Sequence, residues 1–346
     1  HGRLLDGQSG PEERWKQAIS VLDDVLGDAV GELYVARHFD PRARDAVVQI
    51  VENLRRAYAA RIERLDWMSA ETKKSALEKI ATIRLKIGYP KQWKDYSRLD
   101  IAAGDAFGNA RRMEAWQQAF DAAKLTKPAD RDAWIFRAHT IDGGYLPNFN
   151  EIVFPAGILQ PPFFDLEADA AINYGGIGGI IGHEMGHAVD DQGAKWDAQG
   201  VVRNWWMPAD LAAFKTRTNA LAEQYTTFEP LPGLKVNGRQ TLGENIGDLG
   251  GLSAAYDAYQ LSLEGKKAEV INGFTGEQRL FLGWAQIWRR AYREEDLRNK
   301  VLTDMHSPAM FRVNGVVRNV DAWYSAFDIK PGDALYLPPE KRVRIW

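Results

Sequence analysis

Residues 178–191 read GGIIGHEMGHAVDD and set two of the chain's six histidines, His183 and His187, four positions apart, with Glu184 beside the first. An α-helix turns about 100° per residue, so residues four apart share a face one turn from each other, and both imidazoles can reach a single ion. Imidazole nitrogen suits zinc, and a catalytic zinc typically keeps three protein ligands and one position for water. Glu184, one step around the helix, is placed to take a proton from that water. The alternative is a chance occurrence of H-E-x-x-H. Against it stand Ile180, Ile181, Ala188 and Val189, which make the flanks apolar, where two unpartnered histidines would be costly to bury.

A third ligand is needed, and residues 241–248, TLGENIGD, offer two carboxylates, Glu244 and Asp248, at the same four-residue spacing on a second predicted helix. Glu244 can complete the metal shell, leaving Asp248 to accept a hydrogen bond from the far nitrogen of a ligating histidine. The same letters also spell a capping box, Thr241-x-x-Glu244, in which the carboxylate would merely satisfy a backbone N–H. Spacing leaves both open. Further on, His306 precedes Ser307-Pro308, which disfavours helix and predicts a loop. An N–H-donating imidazole there can stabilise the oxyanion of a tetrahedral intermediate, and Arg312 can grip a carbonyl or carboxylate with its planar fork. Taken alone, a loop histidine is more often structural.

These residues need elements to hold them. Trp15, Ile19, Leu22, Val25 and Leu26 recur at helical spacing. Pro41 to Leu65 repeats the pattern, with Asp40 as N-cap and Pro41 at the first helical position. Ser69 caps a helix expected from Ala70 to Ile87, stopped by Gly88-Tyr89-Pro90, so the first hundred residues read as all-helical. Another helical run after Gly104 leads to Pro128. Gly, Pro and Asn break up the stretch from Ile141 to Phe164, where residues 150–154 form a candidate strand ended by Pro155. Helices are expected again around 173–192, 208–225, 244–264 and 276–295, followed by loop segments up to the terminal Arg342–Trp346. The fold class is mainly α with a small β-sheet (α+β), without internal repeats or low-complexity linkers.

Composition bounds the chemistry. A length of 346 residues suggests about two domains, and 45% hydrophobic with 26% charged residues is a globular balance. With 44 Lys and Arg against 47 Asp and Glu, the net charge of −3 argues against nucleic acid as a partner, and Arg55–Arg61 reads as the solvated face of a helix. There is no cysteine, so disulfides and thiolate metal sites are excluded, and a metal must use His, carboxylate or water. The apolar stretch Ile177–Gly182 falls far short of the roughly 20 residues that span a bilayer, and no transmembrane segment is expected. The start at His1, without Met or a signal-like segment, reads as a processed chain.

The strings NEIVFPAGILQPPFF (150–164), NYGGIGGIIGHEMGHAVDDQG (173–193), TLGENIGDLGGL (241–252), DMHSP with FR (304–312) and the terminal RIW resemble the neprilysin family of zinc endopeptidases, the M13 peptidases. GELYVARHF (31–39) and DWMSAETKKSALEKI (66–80) extend the resemblance across essentially the whole chain. The resemblance implies a thermolysin-like zincin catalytic domain over residues 106–346 and part of a helical enclosing lobe over residues 1–105. It implies one Zn2+ per chain on His183, His187 and Glu244, with Glu184 as general base and Asp248 behind a ligand histidine. His306 becomes the transition-state stabiliser and Arg312 a contact to the substrate backbone. Ile158, Phe163, Ile287 and Trp288 would line an apolar pocket for the residue after the scissile bond, in an enzyme that cuts short peptides on the amino side of hydrophobic residues.

Three departures from the family pattern carry expectations of their own. Where the family has Asn-Ala-x-Tyr to hold the substrate backbone, this chain has Asp142-Gly143-Gly144-Tyr145, and Asp142 lacks the amide donor of Asn. Gly179 replaces larger apolar residues, implying a roomier pocket. The bracing cysteines of animal members are missing, as suits a bacterial member. The chain resembles only the C-terminal half of the longer family members, so either a missing N-terminal half completes the enclosure or the site is open. Two functional readings follow: a zinc endopeptidase acting on peptide substrates, and a zinc-bearing peptide-binding module with little turnover. Glu184 favours chemistry, because a binding module needs no base, and a purely structural zinc would normally have four protein ligands. Family analogy points to the periplasm or outside the cell, while the absence of cysteine fits the cytoplasm equally.

Overall fold

Residues 2–346 are described by a computed structural model in which helices predominate. A short α1 (Gly2–Leu5) precedes α2 (Arg14–His38) and α3 (Pro41–Arg64). The Asp40 carboxylate accepts the backbone N–H of Arg42 at the start of α3, whose face of Val47, Ile50, Val51, Leu54, Tyr58 and Ile62 is buried at three- and four-residue spacing. The helix expected around Trp15, Ile19 and Leu22 forms as α2, but those side chains remain exposed. α2 kinks at Leu26 and buries Gly27 and Gly31 instead, against Arg137 and Ala138.

Ser69 caps α4 (Ala70–Thr82) through the Thr72 N–H, as its position predicts. The helix does not reach Ile87. Residues 84–88 form strand β1 (Arg84–Gly88), which pairs in parallel with β3 (Glu151–Pro155), Arg84 opposite Glu151 and Gly88 opposite Pro155. The first hundred residues are therefore not all-helical. Pairing decides against local propensity here: Lys86 Nζ lies 2.7 Å from the buried Glu151 Oε1, an ion pair that exists only when the two strands are side by side. Between them in sequence come α5 (Ala106–Ala122) and β2 (Gly144–Leu146), which runs antiparallel on the other edge of β3.

α6 (Ala170–Asn173) passes through a π-helical turn, Tyr174–Gly178, into α7 (Gly179–Gly186). The helix expected through residue 192 ends early, with His187 as its C-cap. α8 (Pro208–Thr226) and α9 (Leu242–Ser262) follow, then α10 (Gly276–Ile287), which stops well before residue 295. The remaining stretch, expected as loops, holds α11 (Glu294–Thr303), α12 (Ala309–Val317) and α13 (Asp321–Phe327). Helices of two or three turns offer too few repeats for a 3.6-residue period to show in sequence. α7 and α9 pack most extensively with each other, and α3 lies against α9. No described helix is long and apolar enough to cross a membrane.

Candidate active site

The crossing of α7 and α9 is close enough to forbid side chains at the contact. A Cβ on Gly251 would sit 2.4 Å from the His183 backbone nitrogen, and one on Gly247 2.8 Å from the His183 ring. His183 and His187 point from α7, and Glu244 and Asp248 from the first turns of α9, into the space so created. His183 Nε2 lies 3.0 Å from His187 Nε2 and 3.1 Å from Glu244 Oε2, and His187 Nε2 lies 3.7 Å from the same oxygen.

Three lone pairs thus converge on one point, since each imidazole has its other nitrogen engaged. His183 Nδ1 meets Asp248 Oδ1 at 2.8 Å, and His187 Nδ1 meets Asp190 Oδ2 at 2.7 Å. With both Nδ1 protons given to carboxylates, the facing Nε2 atoms and the Glu244 oxygen repel unless a cation lies between them. Tetrahedral zinc with bonds of about 2.0–2.1 Å holds its ligand atoms about 3.3 Å apart, a spacing that these donors match. The residues fit a zinc ion in number, chemistry and separation.

The titration shifts describe the same well for positive charge. Burial by itself pushes His183 and His187 down, but hydrogen bonds to Asp248 and Glu244 raise the first, and Asp190 and Glu244 raise the second well above the ordinary imidazole value. Burial pushes Glu244 up, yet hydrogen bonds to His183, His187 and His306 hold its carboxyl far below the usual range. Glu184 goes the other way: burial raises it more than the two histidines and the Tyr145 backbone N–H lower it.

Asp248 is fully buried and also receives Arg312 Nε and Nη2 at 2.7 and 2.6 Å, so that Arg312 is committed to Asp248 through two of its nitrogens while its guanidinium covers the Trp288 ring at 3.9 Å. His306 sits in a loop, as its Ser-Pro neighbours predict, with Nδ1 2.9 Å from Asp304 Oδ1 and Nε2 3.1 Å from Glu244 Oε2. Thr241 does not form the capping box: its hydroxyl bonds the Asn237 carbonyl and Asn245, and Glu244 faces the histidines.

A cleft of about 460 Å³ opens over this group. Asp142, Gly143, Ile158, Phe163, Glu184, Trp288, His306 and Arg312 all line it. Ile287 does not: the last residue of α10 is buried in the core, near Gly176 of the π-helical turn. Gly179 does not enlarge the cleft either, because a Cβ there would meet the Trp284 indole at 2.7 Å, so the space that it frees is filled by Trp284. Sequence reasoning passed over Asp190 and Asp304, which orient two of the histidines, and the cleft residues Ile180, Tyr292, Arg290 and Lys300. Asp190 was legible in part, three positions beyond His187 in the opening motif.

Comparison with known proteins finds relatives along nearly the whole chain. Residues 143–343 match a sequence profile described as peptidase family M13, and residues 1–90 match a second profile with the same description. The chain is 39% identical over 343 residues to endothelin-converting enzyme 1 of Homo sapiens, which covers 96% of this chain and 44% of that protein. It is 37% identical over 333 residues to the neutral endopeptidase of Lactobacillus helveticus, covering 96% of this chain and 50% of that one. Among solved structures, the zinc metalloprotease Zmp1 of Mycobacterium tuberculosis in complex with an inhibitor superposes with a TM-score of 0.95 at 51% identity, covering 100% of this chain and 53% of that chain. The chain spans about half the length of the relatives that it matches.

Proposed function

The chain belongs to peptidase family M13, and from that premise we propose that it is a zinc-dependent endopeptidase that hydrolyses peptides on the amino side of hydrophobic residues. The observation that carries the reading is the convergence of His183, His187 and Glu244 on one point, with Glu184 beside it in a peptide-sized cleft. Zinc, when bound there, lowers the pKa of the attacking water and polarises the scissile carbonyl.

The chain's own residues do the rest. Glu184 takes the proton from the nucleophile and returns it to the leaving amine, a task helped by burial, which raises its pKa above the ordinary carboxylate value. His306, as an imidazolium whose Nδ1–H is held by Asp304, donates from Nε2 to the oxygen that becomes negative. Asp248 and Asp190 hold the two ligand imidazoles in the tautomer that presents Nε2. Arg312 keeps Asp248 ionised and offers Nη1, which Asp248 does not use, to the substrate backbone. Ile158, Phe163 and Trp288 give the apolar wall for the residue after the cut, and the Asp142–Gly143 segment lies where the peptide backbone would run. In this reading residues 106–346 carry the chemistry and residues 1–105 belong to a helical enclosing lobe.

The test is cleavage of a quenched fluorescent peptide with a central Phe or Leu by the parent chain, a chelator-treated sample and Glu184→Gln, with zinc content measured in each. The Gln variant should keep its zinc and lose about 10²–10⁴-fold in rate. A parental rate in that variant removes Glu184 as the base. Zinc at one per chain without cleavage favours the peptide-binding reading instead.

A further inference from the structure

Lys79, on α4, lies outside the cleft lining and the mechanism does not use it, yet it is 1% exposed. Its ammonium donates to the carbonyls of Gly193 at 2.8 Å and Trp196 at 2.6 Å. The Trp205 indole N–H donates to the same two carbonyls, at 3.0 and 2.9 Å, and the ammonium lies 5.4 Å from its ring centroid. Burying an ammonium costs several kcal/mol unless an opposite charge offsets it, and carbonyl dipoles carry no net charge. The offsetting charges are Asp190 and Asp197, both buried, whose fields act on Lys79 and keep its pKa at about 8 against the larger effect of burial.

Asp190 is the carboxylate behind His187. Its Oδ1 accepts the backbone N–H of both Gln192 and Gly193 at 2.8 Å, while Oδ2 holds His187 Nδ1. Gly193 is therefore gripped at both ends of its residue, the N–H by Asp190 and the carbonyl by Lys79. A second path leaves the same lysine: its backbone carbonyl accepts from Asn150 Nδ2 at 3.1 Å, Asn150 Oδ1 accepts the Tyr145 hydroxyl at 2.8 Å, and Tyr145 lines the same cleft as Glu184. The arrangement parallels the other histidine, where the buried cation Arg312 bonds Asp248 directly; Lys79 reaches Asp190 through the Gly193 backbone.

We propose that Lys79 is a positioning residue of the metal centre: its ammonium locks the loop of residues 190–197 so that Asp190 holds His187 in the ligating orientation, which raises affinity for zinc. The inference rests on the zinc reading of the His183, His187 and Glu244 group. Chelator competition on the full chain measures it, comparing the parent with Lys79→Met, Lys79→Arg and Lys86→Met. Lys86 is the control, a buried lysine on β1 that pairs with Glu151 and the Ala133 carbonyl and touches nothing around the histidines.

Lys79→Met should bind zinc about tenfold more weakly or worse, Lys79→Arg should return to within about threefold of the parent, and Lys86→Met should lower the melting temperature while changing zinc affinity by less than about twofold. Should Lys79→Met fail to fold, Lys79→Gln, which keeps an N–H donor without the charge, takes its place under the same criteria. Parental zinc affinity in the neutral variant overturns the proposal, as does an equal weakening in Lys86→Met. A parent that binds no zinc sinks the underlying reading along with it, whereas a parent that binds zinc and cuts nothing leaves this comparison fully readable.

Discussion

The two carboxylates behind His183 and His187 differ in what else depends on them. Asp190 accepts two backbone N–H groups besides His187, while Asp248 is, among the described residues, the only counter-charge that touches the buried Arg312 guanidinium. Asp190→Asn should therefore weaken zinc binding about 10–100-fold with a modest loss of stability. Asp248→Asn should do the same to zinc and also cost about 3–5 kcal/mol in urea unfolding, because it strands a buried cation. Lys79 gives a pH prediction whose sign can be worked out. Burial lowers its folded pKa from 10.5 to about 8, so between those values the unfolded chain binds more protons, and stability rises with pH across the window. The penalty is fully present below about pH 8 and gone above 10.5. Urea titrations of the parent and Lys79→Met from pH 7 to 10.5 should show an extra positive slope in the parent only. At this scale the opening motif was legible because spacing along one helix is enough to bring His183 and His187 to one ion. Asp190 was legible only in part, three positions beyond His187, because the spacing does not say that its carboxylate turns onto the Nδ1 of that ring.

At the scale of elements, the site exists because α7 and α9 cross at glycines. Gly247→Ala should push a methyl group into the His183 ring, cost about 1–3 kcal/mol, and lower the zinc content of the purified protein. Gly243→Ala, on the same helix with nothing within 4 Å of its added Cβ, should leave zinc binding intact and stabilise by about 0.5–1 kcal/mol. The pair separates close packing from helix propensity in one measurement. The capping-box reading of Thr241 and Glu244 fails at this scale for the same reason that the ligand reading is supported: the letters permit either, and the face of α9 turned toward α7 chooses. Strand β1 is the converse case, where residues spelling a helix end are drawn into a ladder by Glu151, far away in sequence.

Over the whole molecule, the two sequence segments are joined as one packed body. Tyr58 on α3 donates its hydroxyl to the Gly182 carbonyl within α7 at 2.7 Å, and Arg61 and Trp67 bond the carbonyls of Trp346 and Ile345 at 2.9 and 3.1 Å. Trp346 lies among Trp67, Trp206 and Phe214. Trp346→Ala should therefore cost about 3–5 kcal/mol, and tryptophan fluorescence and far-UV circular dichroism should report one coincident unfolding transition at a lower midpoint. Two separated transitions would mean that residues 1–105 and 106–346 unfold independently. The sequence by itself determined the chemistry on offer, since residue types and i, i+4 spacings survive in any helical context, as do the caps at Asp40 and Ser69. Only the tertiary structure decided which face of α9 met α7, that Arg312 backs Asp248, that Trp284 fills the room left by Gly179, and that Ile287 turns into the core. Those outcomes depend on pairing and packing between residues far apart in the chain, which no local period records.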